Sequence, residues 1–128
     1  SLGGAVAVAL ASEEGAQALV IENSFASMPD VAAYHYPWLP VRWFMDNRYD
    51  SLSRIKNYKG PLIQSHGVVD TIVPIAMARR LFDAAPTTKK WIEFADCDHN
   101  SECPADYYLE LAQFLDDASS QNGKPGKR

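Results

Sequence analysis

Three polar residues carry chemistry as a set: Ser1 in "SLGG", Asp70 in "HGVVDTIVP" and His99 in "DCDHNS". A serine hydroxyl becomes a useful nucleophile only if a base removes its proton as it attacks, and a neutral imidazole titrates in the right range. That imidazole must be held in one tautomer and stabilised once charged, which a buried carboxylate does. The implied chemistry is nucleophilic acyl transfer, with Ser1 attacking, His99 as base and Asp70 as its orienting acid. Each residue alone is ordinary, because serine and aspartate before helices usually serve as caps and a single histidine is often a surface residue. Their order and placement together lift the set above those readings.

"SLGG" also suits a reactive serine. The Leu2 N–H is expected to point at a developing oxyanion. Gly3 is expected to let the turn and the following helix approach closely. Glu22, which also ends a strand, competes with Asp70 as the acid. Asp70 is preferred because its loop follows a further strand and is long enough to approach His99. Asp96 and Asp98 stand too near His99 in sequence to orient it. His66 is assigned a structural or supporting role, and His35 a place lining a cleft. Cys97, His99 and Cys103 match no common zinc spacing, so two reduced thiols are expected and no cofactor or metal.

The elements that must position these residues follow from pattern. Residues 3–13 are small and apolar with few interruptions, as in a helix buried on several sides, and Gly15 stops it. Ala18–Ile21 is a short continuous apolar run, the mark of a strand buried on both faces. Residues 28–59, rich in aromatics and prolines, form an excursion of short helices and loops. "GPLIQSHG" is a second strand. Pro74 opens a helix with Ile75, Ala78, Leu81, Phe82 and Ala85 on one face. "KKWIEFAD" is a third strand. Pro104 opens a last helix whose stripe is Tyr107, Tyr108, Leu111, Phe114 and Leu115.

Strands separated by helices imply an α/β fold with a parallel sheet and helices on both faces. Ser1, Asp70 and His99 then fall beyond the carboxyl ends of strands, where such sheets place their sites. Residues 1–118 form the domain, with 28–59 as a cap-like excursion and 119–128 as a disordered basic tail.

Charge narrows the partners. Outside the last ten residues the chain carries nine basic against sixteen acidic side chains. An acidic body argues against nucleic acid. No apolar run approaches the roughly 18 residues of a membrane span. Localisation defaults to the cytoplasm, with membrane association through an upstream anchor left open.

The blocks "SLGGAVAVALA", "VIENSFASMPD", "YPWLPVRWFMDNRYDSLSRI", "HGVVDTIVP", "ARRLFDAAP" and "DHN" together resemble the Bem46-like α/β-hydrolases, from Ser1 to about Asp117. The resemblance implies the C-terminal part of an α/β-hydrolase fold, beginning at the nucleophile. It implies a serine hydrolase of esters, thioesters or amides, acting on a small-molecule acyl substrate. Ser1, Asp70 and His99 match the catalytic positions, and Leu2 the oxyanion N–H. Tyr34, Tyr36, Trp38, Trp43 and Phe44 match the region covering the site and are candidates to contact an acyl group. The Gly-x that precedes the serine in the family's elbow is absent, so this chain alone is expected to be weakly active. The alternative is a non-catalytic truncated remnant or binding module. An N-terminal-nucleophile hydrolase fits less well, since such serines begin strands and "LGGAVAVALA" reads as helix.

Overall fold

The computed structural model describes residues 1–46 and 48–122. In chain order the elements are α1 (Leu2–Glu14), β1 (Leu19–Glu22), α2 (Met28–His35), α3 (Val41–Phe44), α4 (Ser51–Ile55), β2 (Leu62–Gly67), α5 (Ile75–Ala84), β3 (Lys89–Phe94) and α6 (Ala105–Asn122). The three strands form one sheet in the order β1-β2-β3, parallel throughout, with Leu19 opposite Leu62 and Leu62 opposite Lys89. Every residue of central β2 is buried, the polar Gln64, Ser65 and His66 included, because the strand lies between β1 and β3 and is covered on both faces.

Register decides what each face meets. Gln64, His66, Trp91 and Glu93 share one face with α5: Gln64 Nε2 donates to the Ala78 carbonyl at 2.9 Å, and Phe82 meets Trp91 edge-on at 5.3 Å. The opposite face carries Phe94, packed on Tyr107 at 5.3 Å, and Lys90, paired with Glu110 at 2.8 Å. Helices therefore cover both faces. The main core joins Val8, Ala11, Leu19, Ile21, Ile55, Tyr58, Leu62 and Leu81. Each fully buried aliphatic among them stabilises the fold by about 1.5–3 kcal/mol.

The excursion is the expected set of short helices, and polar contacts anchor it. Asp30 on α2 accepts from Arg42 at 2.7 Å and from Arg80 of α5 at 3.1 Å. Asp50 caps α4 through the Ser53 N–H at 3.0 Å and hydroxyl at 2.7 Å, and these bonds hold its carboxyl below the usual range.

Two helices are less covered than their sequences imply. In α1 the buried residues are Ala5, Val8 and Ala11, while Leu2, Val6 and Leu10 are exposed. An alanine-rich helix lacks a polar face, so its sequence cannot say which side is open. In α6, Tyr107 and Ala118 are buried but Tyr108 and Leu115 are exposed, because the helix meets the sheet along a narrower strip than its apolar stripe. α6 also continues to Asn122, so Ser119–Asn122 are helical rather than tail. The remainder of the expected basic tail, 123–128, lies outside the described residues.

Candidate active site

All three strands end at the same rim of the sheet, and Ser1, Asp70 and His99 gather beyond it. β2 ends at Gly67, and the chain turns at once into Asp70, which is buried. Asp70 Oδ1 accepts the N–H of Ile72 at 2.9 Å and of Val73 at 2.8 Å. Its Oδ2 lies 2.7 Å from His99 Nδ1. With one oxygen occupied by two backbone donors, the other is aimed at the imidazole. Nδ1 facing a carboxylate carries its proton, which leaves Nε2 as the basic nitrogen.

His99 reaches this carboxylate from the loop after β3. Asp98 shapes that loop, accepting from Asn100 N at 2.9 Å and Ser101 Oγ at 3.0 Å, and these bonds hold its carboxyl below the usual range. The loop lies directly on Gly67, where an added Cβ would stand 2.2 Å from the Cys97 carbonyl oxygen.

Ser1 caps α1. Its main-chain nitrogen donates to the Glu22 carbonyl at 3.0 Å. Its Oγ accepts the Leu2 N–H at 2.6 Å. The structure thus brings Asp70 and His99 into contact, while the Ser1 hydroxyl bonds to its own helix end. The Leu2 N–H, expected to face an oxyanion, is occupied by Ser1 Oγ.

The glycine expectation needs correction. A Cβ on Gly3 would meet nothing within 4 Å, whereas one on Gly4 would lie 2.5 Å from Ser24 Oγ and 2.8 Å from its Cβ. Gly4 is the residue that lets α1 approach the end of β1. It is one position further from Ser1, on the helix face turned to the sheet.

The competing acids and histidines have other partners. Glu22 accepts from Tyr107 Oη at 2.6 Å, and burial together with that carboxylate pushes the Tyr107 phenol up. His35 Nε2 donates to the Ile72 carbonyl at 2.8 Å, bracing the acid's turn from outside. Cys97 and Cys103 are free thiols, the latter pushed up by burial, and no cluster of potential metal ligands occurs among the described residues.

The aromatic candidates are solvent-facing: Trp43 is 85% exposed, Trp38 77% and Phe44 74%, with Tyr34 and Tyr36 also exposed. Within the described residues they are not part of the core. A cleft of about 450 Å³ lies elsewhere, lined by Ala5, Val6, Ala9 and Leu10 of α1 and by Asp46, Arg48, Tyr49, Asp50 and Arg54. No described helix is long and apolar enough to cross a membrane.

His66 is fully buried, stacked on Trp91, and its Nε2 donates to the Val73 carbonyl at 2.8 Å while lying 3.3 Å from Asp70 Oδ2. Its Nδ1 has no partner among the described residues. Burial first, and then the proximity of His99, lowers its pKa from 6.5, although Val73 and Asp70 oppose the shift. A histidine that stays neutral when folded contributes stability in full above the ordinary value of 6.5. That contribution is lost as pH falls through the lowered one. His66→Gln should therefore flatten the acid-side fall in stability, by up to about 1.4 kcal/mol per pH unit. Urea midpoints between pH 7 and 5 test this, and an unchanged slope would count against it.

Asn23 is a site residue that sequence reasoning passed over. It leaves β1 with a left-handed backbone (φ 45°) and contacts both Gly67 and His99. Its only sequence signal is an asparagine directly after a buried strand, a residue type that tolerates that conformation.

No protein-family model matches the chain. Solved structures similar to it include an acetyl xylan esterase from Paenibacillus sp. R4 (TM-score 0.73, 14% identity, covering 91% of this chain and 43% of that one). Acetyl xylan esterase 1 from Thermoanaerobacterium sp. gives 0.70 at 19% identity, covering 92% and 43%. Parallel strand order, flanking helices and this structural likeness together define an α/β-hydrolase fold. Among curated proteins, an uncharacterized protein of Mycobacterium tuberculosis is 40% identical over 100 residues, 78% of this chain and 36% of its own length. Protein bem46 of Schizosaccharomyces pombe is 33% identical over 122 residues, 90% of this chain and 41% of its own. The chain belongs to the Bem46-like family of α/β-hydrolases. It spans about two fifths of the length of these relatives.

Proposed function

We propose that the chain carries the catalytic residues of a serine hydrolase acting on an ester, thioester or amide of a small-molecule acyl substrate. Ser1 Oγ attacks the acyl carbonyl while His99 Nε2 takes its proton and passes it to the leaving group. Asp70 holds the imidazole through Nδ1 and stabilises the imidazolium. Water, deprotonated by the same nitrogen, then releases the acid and restores Ser1. The Leu2 N–H, bonded to Ser1 Oγ at 2.6 Å, must leave that oxygen and turn to the carbonyl oxygen to serve as one oxyanion donor. Tyr34, Tyr36, Trp38, Trp43 and Phe44 offer apolar surface for the acyl group.

The observation that carries this reading is the 2.7 Å contact between Asp70 and His99, at the sheet rim where Ser1 opens α1. Labelling of the intact protein by a fluorophosphonate probe tests it. The label is expected on the wild type and absent from Ser1→Ala, and equal labelling of the two would sink the nucleophile assignment.

A second reading, a non-catalytic binding module, draws on the engagement of Ser1 Oγ as a helix cap. Wild-type protein that takes no label from the probe would favour it.

A further inference from the structure

Residues 22–24 stand between Ser1 and His99. The Glu22 carbonyl accepts the Ser1 nitrogen at 3.0 Å, and Ser24 Oγ donates to the Ser1 carbonyl at 3.0 Å. Between them, Asn23 faces the other way. Its main-chain N–H continues the sheet by donating to Ser65 at 3.1 Å. Its side-chain Oδ1 accepts the Gly67 N–H at 3.1 Å, and Nδ2 donates to the His99 carbonyl at 3.1 Å. One turn therefore holds the backbone of both residues.

We propose that Asn23 is a positioning residue for His99, fixing its main chain so that the ring reaches Asp70 and stands at a set distance from Ser1. The catalytic meaning of this role rests on the serine hydrolase reading above. The His99 loop has no regular structure, and the bonds within it, from Asn100 and Ser101 to Asp98, do not tie it to the sheet. Cys97 O accepts Val69 N at 3.3 Å, a longer bond two residues before the histidine. The Asn23 amide anchors the His99 residue itself. It also satisfies the Gly67 N–H at the point where β1 has ended. A primary amide does both jobs at once, presenting an acceptor to the N–H and a donor to the carbonyl. Left-handed φ adds a second constraint, which asparagine and glycine meet more readily than most residues.

Two substitutions separate these demands. Asn23→Gly keeps the backbone conformation and removes the amide. Asn23→Asp keeps the acceptor for Gly67 but removes the donor to His99, so it serves where the glycine variant folds poorly. Long-range nitrogen–proton NMR of the intact protein at neutral pH reads the His99 tautomer. The wild type is expected to be Nδ1–H, and each folded variant a mixture of tautomers. Loss of about an ångström of placement should lower kcat by roughly 10–100-fold, with KM little changed. Variants that keep the wild-type tautomer overturn the proposal, even if they melt earlier. Failure of the hydrolase reading looks different: the wild type stays inert to the fluorophosphonate probe while its His99 tautomer still responds to Asn23.

Discussion

Asp70→Asn is expected to leave the protein folded and, under the proposed serine hydrolase mechanism, to cut turnover of a p-nitrophenyl ester by on the order of 10⁴-fold. The asparagine oxygen can still accept the Ile72 and Val73 N–H groups, so the turn survives. Its amide NH₂ then points at His99 Nδ1, where the carboxylate had accepted a hydrogen bond at 2.7 Å. Two donors cannot share that bond, so the imidazole takes the other tautomer and protonates Nε2. The nitrogen meant to receive the Ser1 proton is then already occupied. The 3.3 Å contact with His66 loses its charge as well, a smaller effect on stability. Turnover of a p-nitrophenyl ester by the intact protein, alongside a thermal melt, measures both. Activity within tenfold of wild type at an unchanged melt would remove Asp70 from the mechanism.

The second large effect is expected at Gly67. An alanine there would put Cβ 2.2 Å from the Cys97 carbonyl oxygen and 3.1 Å from that of Asp98. These are backbone atoms of the loop that carries His99, so no side chain can swing away to make room. Either β2 bends at its buried end or the loop lifts. Overpacking of this kind costs about 1–3 kcal/mol, and a lifted loop draws His99 from Asp70. Gly67→Ala should therefore lower the urea midpoint and turnover together. Gly3→Ala, which meets nothing within 4 Å, is the control. A Gly67→Ala protein with the wild-type midpoint would mean that the loop is not seated as described.

What the chain discloses by pattern is what depends on pattern. "LIQSHG" reads as a strand from the Gly60-Pro61 and Gly67 that bound it, "KKWIEF" from its alternation, and both occur where expected. Asp70 and His99 were traceable because strand ends converge at one rim, whatever the intervening chain does. The choice between Gly3 and Gly4 was not traceable, since it turns on helix phase against Ser24. Asn23 was hidden for a related reason: its role arises from three partners distant in sequence, Ser65, Gly67 and His99. The stripe of α6 was legible, but its width was not. Coverage belongs to the sheet beneath it, so Tyr108 and Leu115 are exposed although they share the spacing of Tyr107. The aromatics of the excursion carry no period at all, and only the fold puts Trp38 and Trp43 on the surface.

The excursion leaves the sheet after β1 and rejoins it at β2, and these two strands pair directly, from Leu19 with Leu62 to Glu22 with Ser65. Whatever is inserted between them enters and leaves through one doorway. Within the segment the exposed aromatics Trp38, Trp43 and Phe44 can be exchanged without touching strand register, whereas Ile55 and Tyr58 fill the main core and His35 braces the turn of Asp70. On the proposed hydrolase reading, the side chains that would meet the acyl group are therefore separate from those that would carry out the reaction. Exchange of these three aromatics should change which acyl groups are accepted while the underlying hydrolytic step stays the same.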